Sequence, residues 1–268
     1  MSNFWQRLIT GTLFVAVLIT AIIYGPLASQ LLFLWIALFS LSEFYKLFKN
    51  TVYKPNYVLG LIVGCCFYFV ITANATDLLS NKWLYVLIPL ATMPFFAELY
   101  RKQDQPFQNI ALTIIGIFYT VVPFALLNSI ATINHQYHST ILLGYFFLLW
   151  THDIMAYIFG RWLGKHRLFE RISPKKSWEG SIGGIIFAMI MAVIIAQFFT
   201  ELSVVDWIVM AVIIVITGTL GDLVESMLKR SLNVKDSGNL LPGHGGLLDR
   251  FDALLLSIPF VLVYLMLK

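Results

Sequence analysis

Nine apolar runs, each long enough for a membrane helix, take up most of this 268-residue chain. A bilayer core needs roughly 20 mostly apolar residues per helical crossing. Such runs fall at 8–25, 27–45, 57–74, 83–99, 108–128, 140–160, 180–199, 205–226 and 250–267. A helix satisfies its own backbone polar groups in lipid, where no water can. The pattern therefore predicts an all-α, polytopic membrane helix bundle with about nine transmembrane helices. Composition agrees: 59% of residues are hydrophobic and 12% charged, against about one quarter charged in soluble domains. The first run passes directly into a second, so it is not read as a cleaved signal peptide. Gly25 and Pro26 mark the turn between them. Cys65 and Cys66 are adjacent in an apolar run, which suits neither a disulfide framework nor a zinc site.

The basic residues orient the spans. With nine crossings, all of the 18 Lys and Arg residues except Lys82 and Lys268 fall on one side. Positive charge is retained in the cytoplasm, so the N-terminus is expected there and the C-terminus outside. The net charge of +4 is read as this topology signal, with no nucleic-acid partner. The expected setting is the cytoplasmic membrane. Residues 1–135 hold five N-terminal spans, and residues 136–268 hold four more, with polar loops 161–179 and 227–249 on the cytoplasmic face.

Positive charge alone does not account for the acids, glycines and histidine in and beside those loops. Asp153 lies late in the sixth span, with Tyr157 one helical turn on. Intramembrane acids are costly and normally face an interior or a wet cavity. The stretch SPKKSWEGSIGG (173–184) offers Lys175, Lys176 and Ser177 before a glycine-rich helix start. That combination suits phosphate, and equally serves topology and small-residue helix packing. In GDLVESMLKR (221–230), Asp222, Ser226 and Lys229 share one helix face, with Glu225 beside them. Asp249 and Asp252, at i and i+3, start the ninth span. If the eighth and ninth spans pack antiparallel, Asp222 and Asp249 converge. Converging carboxylates without thiolates favour a hard cation such as Mg2+. Gly243, Gly245 and Gly246 allow close backbone approach to a ligand. Lys229, Arg230, Lys235 and Arg250 would neutralise phosphate, and His244 would act as acid, base or phosphate donor. The residues alone point to magnesium-dependent chemistry on a phosphorylated ligand.

The stretch SMLKRSLNVKDSGNLLPGHGGLLDRFD (226–252) strongly resembles the signature of the phosphatidate cytidylyltransferases, or CDP-diacylglycerol synthases. The upstream GD (221–222), SPKKSWEG and Asp153, Ala156 and Tyr157 also look like that family. Ile154 stands where the family often carries Ser or Thr. The resemblance implies that CTP and phosphatidic acid become CDP-diacylglycerol and pyrophosphate. It implies Asp222 and Asp249 as ligands of a magnesium ion on the CTP phosphates, with Asp252, Asp236 and Glu225 supporting them. Lys229, Arg230, Lys235 and Arg250 would hold the triphosphate or pyrophosphate. Lys175, Lys176 and Ser177 would take the lipid phosphate or more of the triphosphate. A second cation and a homodimer are left open.

Two other readings use the same residues. A CTP-dependent kinase of a lipid alcohol, or a cytidylyltransferase for another lipid phosphate, would share these groups. A cation-coupled transporter would place its acids near the bilayer midplane and show internal repeats. Here the acids gather at one interface, and no convincing repeat is visible. No G-x-x-x-x-G-K-[ST] phosphate loop is present, which argues against an ATPase.

Overall fold

The structure, a computed structural model, describes residues 3–133, 136–240, 243 and 245–268. It is helical apart from one short hairpin. The helices are α1 (Asn3–Tyr24), α2 (Pro26–Leu47), α3 (Tyr57–Ala75), α4 (Leu87–Arg101) and α5 (Pro106–Gly116), followed by α6 (Val122–Ala131), α7 (Ser139–Trp162), α8 (Trp178–Phe198), α9 (Val204–Ser231) and α10 (Leu248–Leu267). A 3-10 turn (Asn81–Val86) leads into α4, and a π turn (Ile117–Val121) joins α5 to α6. The hairpin pairs β1 (Arg167–Phe169) antiparallel with β2 (Ser173–Ser177).

Among the described residues, eight helical segments are long and apolar enough to cross a membrane, counting α4 with its 3-10 turn and α5 to α6 as one. The helix α1 adds a shorter apolar run, Leu8–Tyr24. All nine apolar runs of the sequence are therefore helical, and the protein is a multi-pass membrane protein.

Local chemistry sets the helix ends. Gly25 has φ 141°, a conformation that admits glycine, and Pro26 then starts α2 with its fixed φ. The Asn56 side chain accepts the Leu59 N–H at 3.3 Å and caps α3. Ser203 and Asp206 form a reciprocal capping box at the start of α9. Pro123 lacks an N–H, so the hydrogen-bond ladder is interrupted there, next to the π turn.

One compact unit comprises residues 1–137 and 234–251. It contains α1 to α6, the chain that follows α9, and the first turn of α10. Phe33, Leu41, Phe44, Phe67 and Phe124 are buried in its core. Phe251 packs edge-on against Phe124 and Phe14, with ring centroids 5.0 and 5.6 Å apart. Several of its buried polar groups are paired across helices, as an interior in lipid favours. Asn128 donates to Tyr68 Oη at 2.8 Å and to Thr72 Oγ1 at 3.0 Å, and Tyr68 donates to the Gln30 carbonyl at 2.6 Å. The Tyr45 hydroxyl reaches the Thr113 carbonyl at 2.7 Å.

The other unit comprises residues 138–233 and 252–268. In it α8 packs between α7 and α9. The contact with α7 is close because α8 begins with glycines: a Cβ on Gly180 would lie 2.6 Å from the Ala156 carbonyl oxygen. Tyr145 and Ser257 share a 2.5 Å hydrogen bond between α7 and α10. At the start of α9, Asp206 accepts from Tyr264 at 2.8 Å and pairs with Lys268.

Candidate active site

In the second unit, four elements bring charged side chains to one cluster. The hairpin strand β2 delivers Lys176, whose Nζ lies 2.5 Å from Asp222 Oδ2 on α9. One turn along α9, Lys229 Nζ pairs with Glu225 Oε2 at 2.6 Å. Glu225 is completely buried, with 0% exposure, so that pair is shielded from solvent. Ser226 donates to Asp222 Oδ1 at 3.2 Å and holds the other carboxylate oxygen. From α7, Asp153 interacts electrostatically with Asp222 and Lys176. From α10, Asp252 interacts with Asp222, Glu225 and Asp153, and accepts the Ala253 N–H at 2.7 Å.

Helix α9 places Asp222, Glu225, Ser226 and Lys229 together because these positions recur at three and four residues. The hairpin reaches α9 because its ends are tied down. Glu179 accepts the N–H groups of Lys165 and His166 at 3.1 and 3.2 Å, and His166 Nδ1 lies 2.6 Å from Glu179 Oε1. Trp178 N–H donates to the His166 carbonyl at 3.0 Å. Lys176 is thereby fixed at the end of a closed turn.

The cluster holds four acids, Asp153, Asp222, Glu225 and Asp252, and two ammoniums, those of Lys176 and Lys229. When all are ionised, acid exceeds base, in surroundings where unbalanced charge is costly. A divalent cation fits that imbalance. Among the described residues, no three His, Cys, Asp or Glu side chains enclose a metal by themselves. Magnesium does not need such a cage, since it keeps water and phosphate oxygens among its ligands.

Other sequence-selected residues take different places. Tyr157 is exposed on α7, with Arg161 Nη1 3.5 Å from its hydroxyl. Lys175, Arg230, Lys235, Asp236 and Arg250 are exposed. Ser177 is 3% exposed, and its Oγ accepts the Gly180 N–H at 3.2 Å as the cap of α8. Gly243 and Gly245 have φ of 79° and 83°, in the left-handed region. His244 lies outside the described residues.

Asp249 belongs to the first unit. Its Oδ2 accepts the N–H groups of Ser237 at 2.9 Å and Gly246 at 2.8 Å. Beside it, Glu43 of α2 accepts the Leu248 N–H at 2.9 Å. Sequence reasoning passed over Glu43, although an acid inside an apolar span was a usable signal. It also passed over His152, which is 5% exposed, with Nε2 3.1 Å from Thr219 Oγ1. His152 interacts with Lys176 and Asp222 from the α7 side of the cluster.

The cytidylyltransferase family model matches residues 5–268. A phosphatidate cytidylyltransferase of Staphylococcus haemolyticus is 32% identical over 262 residues, covering 97% of this chain and 98% of the relative. One from Bacillus subtilis is 32% identical over 269 residues, covering 97% of each. One from Haemophilus influenzae is 39% identical over 188 residues, covering 66% of this chain and 63% of the relative. With the match running almost from end to end, the chain belongs to the cytidylyltransferase family and is a nucleotidyltransferase enzyme.

Proposed function

We propose that this membrane enzyme converts CTP and phosphatidic acid to CDP-diacylglycerol and pyrophosphate. The observation that carries the reading is the similarity to enzymes named phosphatidate cytidylyltransferase over 97% of the chain. The cluster around Asp222 supports it. A lipid phosphate needs a site reachable from the bilayer, and these charged groups sit on membrane helices and the hairpin between them.

In the proposed step a phosphate oxygen of phosphatidic acid attacks the α-phosphorus of CTP. The new bond is the pyrophosphate linkage of the liponucleotide. The bond from the α-phosphorus to the bridging oxygen breaks, and inorganic pyrophosphate leaves with that electron pair. The nucleophile is already an anion, so no strong base is needed. Catalysis then rests on positioning and charge neutralisation. Asp222 would hold a magnesium ion, with Asp252 close to it and Asp249 added on the strength of the sequence motif. When bound, magnesium supplies charge neutralisation to the triphosphate. Lys176 orients the Asp222 carboxylate and offers its ammonium to a phosphate oxygen. Lys229 balances Glu225. The exposed Arg230, Lys235 and Arg250 supply charge for the triphosphate, and Lys175 for a phosphate at the hairpin.

The proposed setting is the cytoplasmic membrane, with the N-terminus, the hairpin and residues 227–249 on the cytoplasmic face, where CTP is available. The support is the partition of Lys and Arg residues across the nine spans.

The test is CTP turnover by detergent-purified protein with phosphatidic acid, with and without magnesium. Liponucleotide and pyrophosphate appearing together, and only with magnesium, support the reading. CDP and a phosphorylated lipid, formed from a lipid alcohol, would replace it with a kinase. No CTP turnover with either acceptor, in folded protein, would overturn it.

A further inference from the structure

We propose that Glu43, in the second membrane span, is a positioning residue for the signature loop that precedes α10. This rests on the reading above only where turnover is measured.

Glu43 lies in α2, and 6% of it is exposed. Its described hydrogen-bond partners are far away in sequence and belong to one loop. Oε2 accepts the Leu248 N–H at 2.9 Å and the Ser237 hydroxyl at 3.4 Å, across separations of 205 and 194 residues. Leu248 is the first residue of α10, so its N–H is one of the donors that a helix start leaves without an intrahelical acceptor. Glu43 therefore supplies, from another helix, what a capping side chain normally supplies. Its negative charge also suits the positive end of the α10 dipole.

The loop is shaped to this carboxylate. A Cβ on Gly238 would fall 2.5 Å from Glu43 Oε1, and one on Gly246 would fall 2.5 Å from Oε2. Both glycines bring the main chain closer than any side chain allows. The Asp249 carboxylate accepts the N–H groups of Ser237 and Gly246 from within the loop. Two acids, one from α2 and one from α10, thus gather the main-chain donors of Ser237, Gly246 and Leu248. The loop between them carries Gly243 and Gly245, and Arg250 follows at once on α10. A leucine at position 43 would satisfy an apolar span, but it would leave the Leu248 N–H without its acceptor.

The experiment compares Glu43→Leu and Glu43→Gln with the parent by hydrogen exchange in detergent, followed over peptides covering 237–248 and over the other helices. Glutamine keeps a side-chain oxygen for the Leu248 N–H, and leucine does not. The expected result is exchange in 237–248 about 10- to 100-fold faster in Glu43→Leu, the loss appropriate to hydrogen bonds with a charged acceptor. Exchange elsewhere should be unchanged, and Glu43→Gln should regain most of the protection. CTP turnover should follow the same order, with kcat falling about tenfold or more in Glu43→Leu and recovering in Glu43→Gln. Parent-like exchange of the loop in Glu43→Leu overturns the proposal. So does acceleration spread evenly over the protein, which would mark Glu43 as ordinary core. If the parent itself fails to turn over CTP, the proposed reaction falls, while the exchange comparison still decides the role of Glu43.

Discussion

Lys176 and Asp222, 46 positions apart in the sequence, meet at 2.5 Å between the hairpin and helix α9. This ion pair couples the loop after α7 to the acidic face of α9. It gives the carboxylate a fixed direction, and in the proposed reaction its ammonium is the group offered to a phosphate oxygen. The side chains are 26% and 33% exposed, so the pair is partly shielded and still reachable by a ligand.

Removing that ammonium should be costly. Lys176→Met leaves the acids around Asp222 with less compensation, and charged contacts in such sites carry several kcal/mol. Turnover of CTP is expected to fall about 100-fold, with Lys176→Arg recovering part of it. Retention of more than half the parental rate in Lys176→Met would remove Lys176 from the site.

Asp222→Asn should lose both turnover and the response to metal. In the parent, added magnesium should raise the melting temperature, as any ligand of the native state does. In Asp222→Asn that shift should vanish and turnover drop about 100-fold or more. A full thermal shift in the variant would place the cation elsewhere.

Away from the site, Asn128→Ala should act on stability alone. It removes the donor to Tyr68 Oη and Thr72 Oγ1 in the core of the first unit. Each such hydrogen bond lost costs about 0.5–1.5 kcal/mol. Thermal unfolding in detergent should show the lower midpoint, and the folded fraction should keep its parental turnover.

The orientation predicted by charge is open to labelling. On a Cys65→Ser, Cys66→Ser background, a membrane-impermeant maleimide should reach Gln136→Cys in intact cells. Lys175→Cys should react only after permeabilisation. Both positions are exposed. The opposite pattern would invert the topology.

The nine spans, their approximate ends and the acids near the helix mouths could be read from the sequence. Hydropathy is a property of contiguous residues, and a crossing helix must be contiguous. The family was legible for a similar reason, since its signature from Ser226 to Asp252 is nearly unbroken. Spacing along α9 put Asp222, Ser226 and Lys229 on one face, because a helix repeats every 3.6 residues. What spacing could not reach was the identity of partners on other elements. Only packing decided that Lys176 pairs with Asp222, that Asp252 stands with Asp222 and Glu225, and that Ser177 is used as a cap. Packing also turned Gly180 toward α7. Above all, it brought Glu43 to the Leu248 N–H across 205 residues. Nothing in the neighbourhood of Glu43 encodes that partner. It follows from which helix faces bury each other, and that is settled by the whole set of side chains at once.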